Sequence, residues 1–140
     1  MLLEADWNND GNLDIMYSAM ELDPITQSFR ANMTFYVNNG FGNFTVVLGA
    51  IAVPSTYVSI TNVISCDLDN DGFNDVIGKG YYVQTNSPFC FVHLNMNGTS
   101  FSSAFEITTI NSDPLYVFIL FTFEGHSHYC SLDACAQVMC

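Results

Sequence analysis

Short apolar runs alternate along this chain with polar and glycine-rich stretches, and no 3.6-residue periodicity persists over any useful length. The pattern predicts a protein that is nearly all β. Residues 13–19 read as a strand, 21–32 as a polar connection containing Pro24, and 33–38 as a second strand. The glycine-rich turn Asn39-Gly40-Phe41-Gly42 then leads to a third strand at 43–49. The second half repeats this order. A β-branched run at 57–66 precedes a strand at 75–78, a polar link through Asn86, Ser87 and Pro88, and a strand at 89–95. A turn at Asn97-Gly98 and a last strand at 100–108 complete the set.

The same acidic loop occurs in both halves. Asp6-Trp7-Asn8-Asn9-Asp10-Gly11-Asn12-Leu13-Asp14 and Asp67-Leu68-Asp69-Asn70-Asp71-Gly72-Phe73-Asn74-Asp75 begin 61 residues apart, and both read D-x-[N/D]-x-D-G-x-x-D. Oxygen-bearing side chains at positions 1, 3, 5 and 9 suit a hard cation such as calcium. A main-chain carbonyl at position 7 and water can complete its roughly 6–8 ligands. An EF-hand would need a glutamate at position 12 and helices on both sides. Position 12 is Tyr17 in one loop and Gly78 in the other, and the flanks are β-rich. The acid at position 9 closes the loop earlier, in a form compact enough to join adjacent strands. The alternative is a solvated acidic turn that binds nothing.

Each unit thus reads as strand, acidic loop, strand, link, strand, turn, strand, a four-stranded meander of about sixty residues. That period marks a β-propeller blade. The expected fold class is all-β: about two four-stranded antiparallel blades of an incomplete propeller. The first blade spans 1–53, with most of its first strand missing because Met1 stands just before the loop. The second spans 54–110. Residues 111–140 read as a degenerate or mispredicted third-blade start and a Cys-containing tail. There, 115–120 resembles a strand leading into a loop. Aligned on Gly125, however, Leu120, Thr122 and His128 replace the acids, and no strand pattern follows.

Composition narrows the function. Nearly half of the 140 residues are apolar, which excludes disorder. Fourteen acids face only Arg30 and Lys79, and seven of the acids lie inside the two loops. Two divalent ions would move the formal charge from −12 to −8, still no surface for phosphate backbones, so no nucleic-acid partner is expected. The most apolar run, 115–123, is nine residues, about half of a membrane span. The first residues show neither the basic nor the apolar region of a secretory signal. Low lysine, five cysteines and the sequons Asn32-Met33-Thr34, Asn43-Phe44-Thr45 and Asn97-Gly98-Thr99 nevertheless suggest an extracellular or cell-surface glycoprotein.

The two loops, the strand starts Leu13-Asp14-Ile15 and Asn74-Asp75-Val76-Ile77, and the Asn39-Gly40-Phe41-Gly42-Asn43-Phe44 turn together resemble the FG-GAP/VCBS repeat. This repeat is the blade unit of integrin α-subunit-like propellers. The resemblance covers roughly residues 4–108. It implies calcium, in a structural role, in the hairpin loop between the first two strands of each blade. By position, Asp6, Asn8, Asp10 and Asp14 would be ligands with the carbonyl of Asn12, and likewise Asp67, Asp69, Asp71 and Asp75 with that of Phe73. Two departures stand out. Gly78-Lys79-Gly80 matches the family's small-residue turn only loosely, and such propellers have about seven blades where this chain supplies two.

Four carboxylates in one short loop repel one another unless a cation is present. The second loop has four and the first has three plus Asn8, so the second is expected to bind more tightly. No nucleophile elbow, P-loop or dinucleotide fingerprint occurs, and the loop acids are accounted for by calcium, so no enzyme is expected. The expected role is a recognition or adhesion module for a protein or glycan ligand, continued by further blades of a longer chain. The alternatives are an accessory region of a larger extracellular hydrolase or lyase, and a soluble calcium buffer. His93 reads as a sheet residue. Cys66 and Cys90 read as a disulfide between neighbouring strands or as buried thiols. His126-Ser127-His128 with Cys130 and Cys135 has an incomplete zinc set and reads as a non-functional tail.

Overall fold

The computed structural model describes residues 1–107, 116–123 and 126–133. Among these the protein is all β, in two four-stranded antiparallel sheets and one separate hairpin. The first sheet runs β1 (Leu2–Ala5), β2 (Asp14–Leu22), β3 (Phe29–Asn38), β4 (Phe44–Val47). The second runs β5 (Tyr57–Cys66), β6 (Asp75–Tyr82), β7 (Pro88–His93), β8 (Phe105–Ile107). Each is a simple meander in which every strand pairs with the next. The sheets do not close into a barrel, as befits blades of an incomplete propeller. No helix among the described residues is long and apolar enough to cross a membrane.

Several element bounds differ from the sequence expectation. Half of the polar stretch 21–32 is strand. β2 runs on to Leu22 and β3 starts at Phe29, leaving a tight turn. Asp23 organises that turn, its Oδ1 accepting from the amides of Ile25 and Thr26, while Gln27 takes a left-handed φ of 55°. The second blade repeats the turn, with Asn86 at φ 52° and the amide of Tyr82 donating to the carbonyl of Ser87. In the added segments Met20, Glu21, Leu22, Phe29 and Arg30 are all exposed, so no alternation announced the strands. Gly78-Lys79-Gly80 is likewise strand, not turn. A Cβ on Gly78 would meet the ring of Phe91 at 2.1 Å, so the glycine makes room for that ring.

The last expected strand, 100–108, shrinks to β8. Ahead of it stands an isolated bridge between Asn95 and Phe101, because the Ser102 hydroxyl accepts the Leu94 amide in place of a regular ladder bond. Cys66 and Cys90 lie on β5 and β7 with β6 between them, not on neighbouring strands. Cys66 stands opposite Asp75 and Cys90 opposite Lys79, so two strand spacings and a four-residue offset separate them, well beyond disulfide reach of each other.

β9 (Tyr116–Phe123) and β10 (His126–Asp133) form the hairpin. β10 is a strand where no pattern announced one. Phe123 pairs with His126, so the connection is two residues long, against the eight that separate Ala5 from its partner Asp14. The zinc reading at His126, His128, Cys130 and Cys135 and the alignment on Gly125 concern side chains or residues outside the described set.

The principal core lies between the two sheets. Ala5, Trp7, Met16, Met33 and Phe35 of the first blade pack against Tyr57, Val63, Val76, Phe89 and Phe91 of the second. Trp7, Phe35 and Phe101 meet edge to face with centroids 5.7–6.3 Å apart, a favoured aromatic geometry that crosses the junction. Repeat-related positions on the second blade, namely Cys66, Leu68, Ile77, Cys90 and Val92, form a separate buried cluster on its other face. The outer face of the first blade is open. Leu2 is 54% exposed and Phe44 44%, whereas the repeat-related Val63 is 5% exposed in the junction.

Candidate metal centre

Both acidic loops fold the same way, for reasons their residues supply. Asn9 and Asn70 adopt left-handed φ of 59°, which asparagine tolerates, followed by Gly11 and Gly72 at φ 86° and 92°. This curl aims successive amides inward. In the first loop Asp6 Oδ1 and Oδ2 accept from the amides of Asp10 and Gly11 at 3.0 and 2.8 Å. In the second, Asp67 accepts from Asp71 and Gly72 at 3.2 and 3.0 Å. Asp10 Oδ1 takes the Asn12 amide and Asp71 Oδ1 the Phe73 amide, each at 2.8 Å.

The acid at position 9 stands apart from the others. Asp14 and Asp75 are fully buried. Asp75 Oδ2 accepts from the Leu68 amide at 2.7 Å and Oδ1 from the Asn95 amide at 2.7 Å. Asp14 does the same with Trp7 and Asn38, at 3.1 and 2.8 Å. Each therefore ties the loop start to the end of the third strand. Burial pushes the Asp75 carboxyl up to about 6, against the lowering effect of those two amides. Burial raises Asp14 in the same way.

The loops differ in their charged cluster. One carboxylate oxygen from each of Asp67, Asp69 and Asp71 lies within 4.8 Å of the others. Burial, then the charge of Asp71, pushes the Asp69 carboxyl above its usual range. In the first loop Asn8 replaces the third acid. Its Nδ2 and that of Asn12 donate to the two oxygens of Asp10 at 3.0 and 2.9 Å, so amides there already offset the charge. The Asn12 amide holds the Asp10 carboxyl below the usual range. A cluster of hard, anionic oxygens with an adjacent turn carbonyl fits a divalent cation such as calcium and does not fit a soft metal. Thus the structure brings Asp67, Asp69 and Asp71 together, and Asp6, Asn8 and Asp10 into the matching curl. Asp14 and Asp75 sit behind, bound to main-chain amides.

Two residues that matter here went unnoticed in the sequence. Asn38 and Asn95 occupy matching places at the ends of the third strands. Asn95 Nδ2 donates to the carbonyls of Trp7, in the first loop, and Asn74, in the second, at 2.8 and 3.0 Å. Asn38 Nδ2 donates to Leu13, the equivalent of Asn74, at 3.0 Å. Their signal was an asparagine two or three residues before the turn glycine in both halves, Asn38 before Gly40 and Asn95 before Gly98.

At the other end of the second blade, Tyr57 and Tyr82 clamp the two oxygens of Glu106 at 3.1 and 2.6 Å. Beside Tyr82 lies an open cavity of about 580 Å³ that Ser55, Thr56, Gln84 and Ser87 help to line.

No match was found to a curated protein or to a solved structure. The family described as FG-GAP-like repeat matches over residues 6–78, more than half of the chain and inclusive of both loops, and the chain belongs to that family.

Proposed function

We propose that the chain is a calcium-stabilised, non-enzymatic segment of a larger extracellular β-propeller, acting as a rigid recognition or adhesion module for a protein or glycan ligand. The observation that carries this reading is the cluster of Asp67, Asp69 and Asp71, three carboxylate oxygens within 4.8 Å on a loop shaped like its partner in the first blade. Bound there, calcium supplies the positive charge that lets these acids sit together. Asp67, Asp69 and Asp71, with the Phe73 carbonyl, would hold it, while Asp75 keeps the loop closed. In the first loop Asp6, Asn8, Asp10 and the Asn12 carbonyl would form the weaker site.

A cation here rigidifies a hairpin; it does not touch a reacting substrate. The extended partner follows from the open face of the first blade, whose exposed Leu2, Tyr17, Phe44 and Val46 stand where the second blade is covered by the first. A further blade of the same chain is the natural cover.

Equilibrium dialysis against calcium tests the reading. Two ions per chain are expected, with affinities of about 10⁻⁴–10⁻³ M, typical of extracellular modules. Asp71→Ala should lose the tighter one. Absence of bound calcium at millimolar concentration would refute the proposal.

A further inference from the structure

The first acidic loop is not only a feature of its own blade. Asn95, 1% exposed, reaches across from the second blade and donates from Nδ2 to the Trp7 carbonyl within that loop at 2.8 Å. Its amide is fully engaged. The second Nδ2 hydrogen goes to the Asn74 carbonyl, and Oδ1 accepts from the Gly98 amide at 2.7 Å, which fixes the orientation of the group. The turn it organises rests on the loop. A Cβ on Gly98 would meet Asn8 Cα at 2.5 Å, so only a glycine lets the two backbones approach. Asn74 Nδ2 adds a longer bond to the Asp6 carbonyl at 3.4 Å. Positions 1, 2 and 3 of the first loop are thus each touched by the second blade.

We propose that Asn95 is a positioning residue that links cation binding in the first loop to docking of the second blade. The proposal rests on the calcium reading above and goes beyond it, because it makes the first site a property of the junction rather than of one hairpin. A loop held at Asp6, Trp7 and Asn8 by its neighbour presents its oxygens already placed. Conversely, a cation that orders the loop strengthens the seat on which the second blade rests. Such linkage is reciprocal, and an effect of about 5- to 20-fold on affinity is ordinary for it.

Trp7 makes the test direct. It is the single tryptophan, it is part of the first loop, and its ring is buried in the junction. Terbium, a luminescent substitute for calcium, would be sensitised by Trp7 when bound in the first loop. The second loop has Leu68 at that position. In the 140-residue chain, Asn95→Ala should weaken the tryptophan-sensitised terbium signal at least 5-fold in affinity. Asn95 contacts no proposed ligand of the first loop, so that loss would travel through the Trp7 carbonyl. Addition of calcium to the unsubstituted chain should also shift Trp7 emission, and that shift should vanish in the variant. Equal terbium affinity in the two proteins would overturn the linkage while leaving the calcium reading intact. Absence of any bound calcium would sink the calcium reading itself. Should Asn95→Ala fail to fold, Asn74→Ala, which removes only the 3.4 Å bond, serves the same comparison with a smaller expected loss of about 2-fold; no loss there would count against the linkage.

Discussion

The ninth residue of each acidic loop uses both carboxylate oxygens on main-chain amides, so its chemistry differs from that of the acids in the curl. Asp75→Asn would turn one acceptor into an NH₂ facing an amide donor, and a loss of about 1–3 kcal/mol is expected in urea unfolding. Asp69→Asn removes a charge that Asp71 and Asp67 oppose, so in chelator it should cost almost nothing, within about 0.5 kcal/mol. Equal losses in the two variants would contradict this division of roles. His93 gives a pH signature. Its Nδ1 pairs with the Ser102 carbonyl, while its buried Nε2 and the Trp7 Nε1 both lack a partner among the described residues. Burial holds the imidazole below its ordinary value, so the folded protein keeps it neutral. The unfolded chain ionises near pH 6.5, so the stability His93 contributes is complete above that pH and declines as pH falls below it. The raised Asp75 acts oppositely, favouring the folded state as pH falls from about 6 toward its ordinary value. Comparison with His93→Gln isolates the histidine. The variant should lose less stability between pH 7 and 5 than the unsubstituted chain, and identical losses would refute the assignment.

At the scale of elements, the acidic loops were the most legible part of the chain. Acid, asparagine and glycine positions dictate the curl locally, and both copies adopt it with matching dihedrals. Strand extents were less legible because tertiary packing decided them. β2 and β3 extend through exposed Met20, Glu21, Leu22, Phe29 and Arg30, where no alternation marks a strand, and β6 runs through two glycines that propensity places in a turn. Gly78→Ala tests that last point. With Phe91 2.1 Å from the added methyl, the ring must move, and a loss of about 1–3 kcal/mol is expected by calorimetry. A neutral substitution would mean that the sheet yields more readily than its packing implies. The clamp at Asn95 could not be read because its two acceptors lie 21 and 88 residues away. Long-range hydrogen bonds leave no local pattern.

For the whole molecule, the second blade is buried on both faces, at Val76 and at Ile77, while the first blade's outer face stays apolar and open. Its exposed Leu2, Tyr17 and Phe44 should make the isolated chain self-associate. Sedimentation should show concentration-dependent oligomers, relieved by Tyr17→Lys with Phe44→Lys; a monodisperse monomer would argue against a missing neighbour. The central claim is that cations hold the acidic hairpins together, and thermal unfolding in calcium measures it most directly. At about 100 times the dissociation constant a bound ion adds about 2.7 kcal/mol, which in a domain of this size raises the melting temperature by roughly 5–10 °C. The rise should shrink most in Asp71→Ala and less in Asp10→Ala. A melting temperature that does not change between chelator and excess calcium would contradict the account.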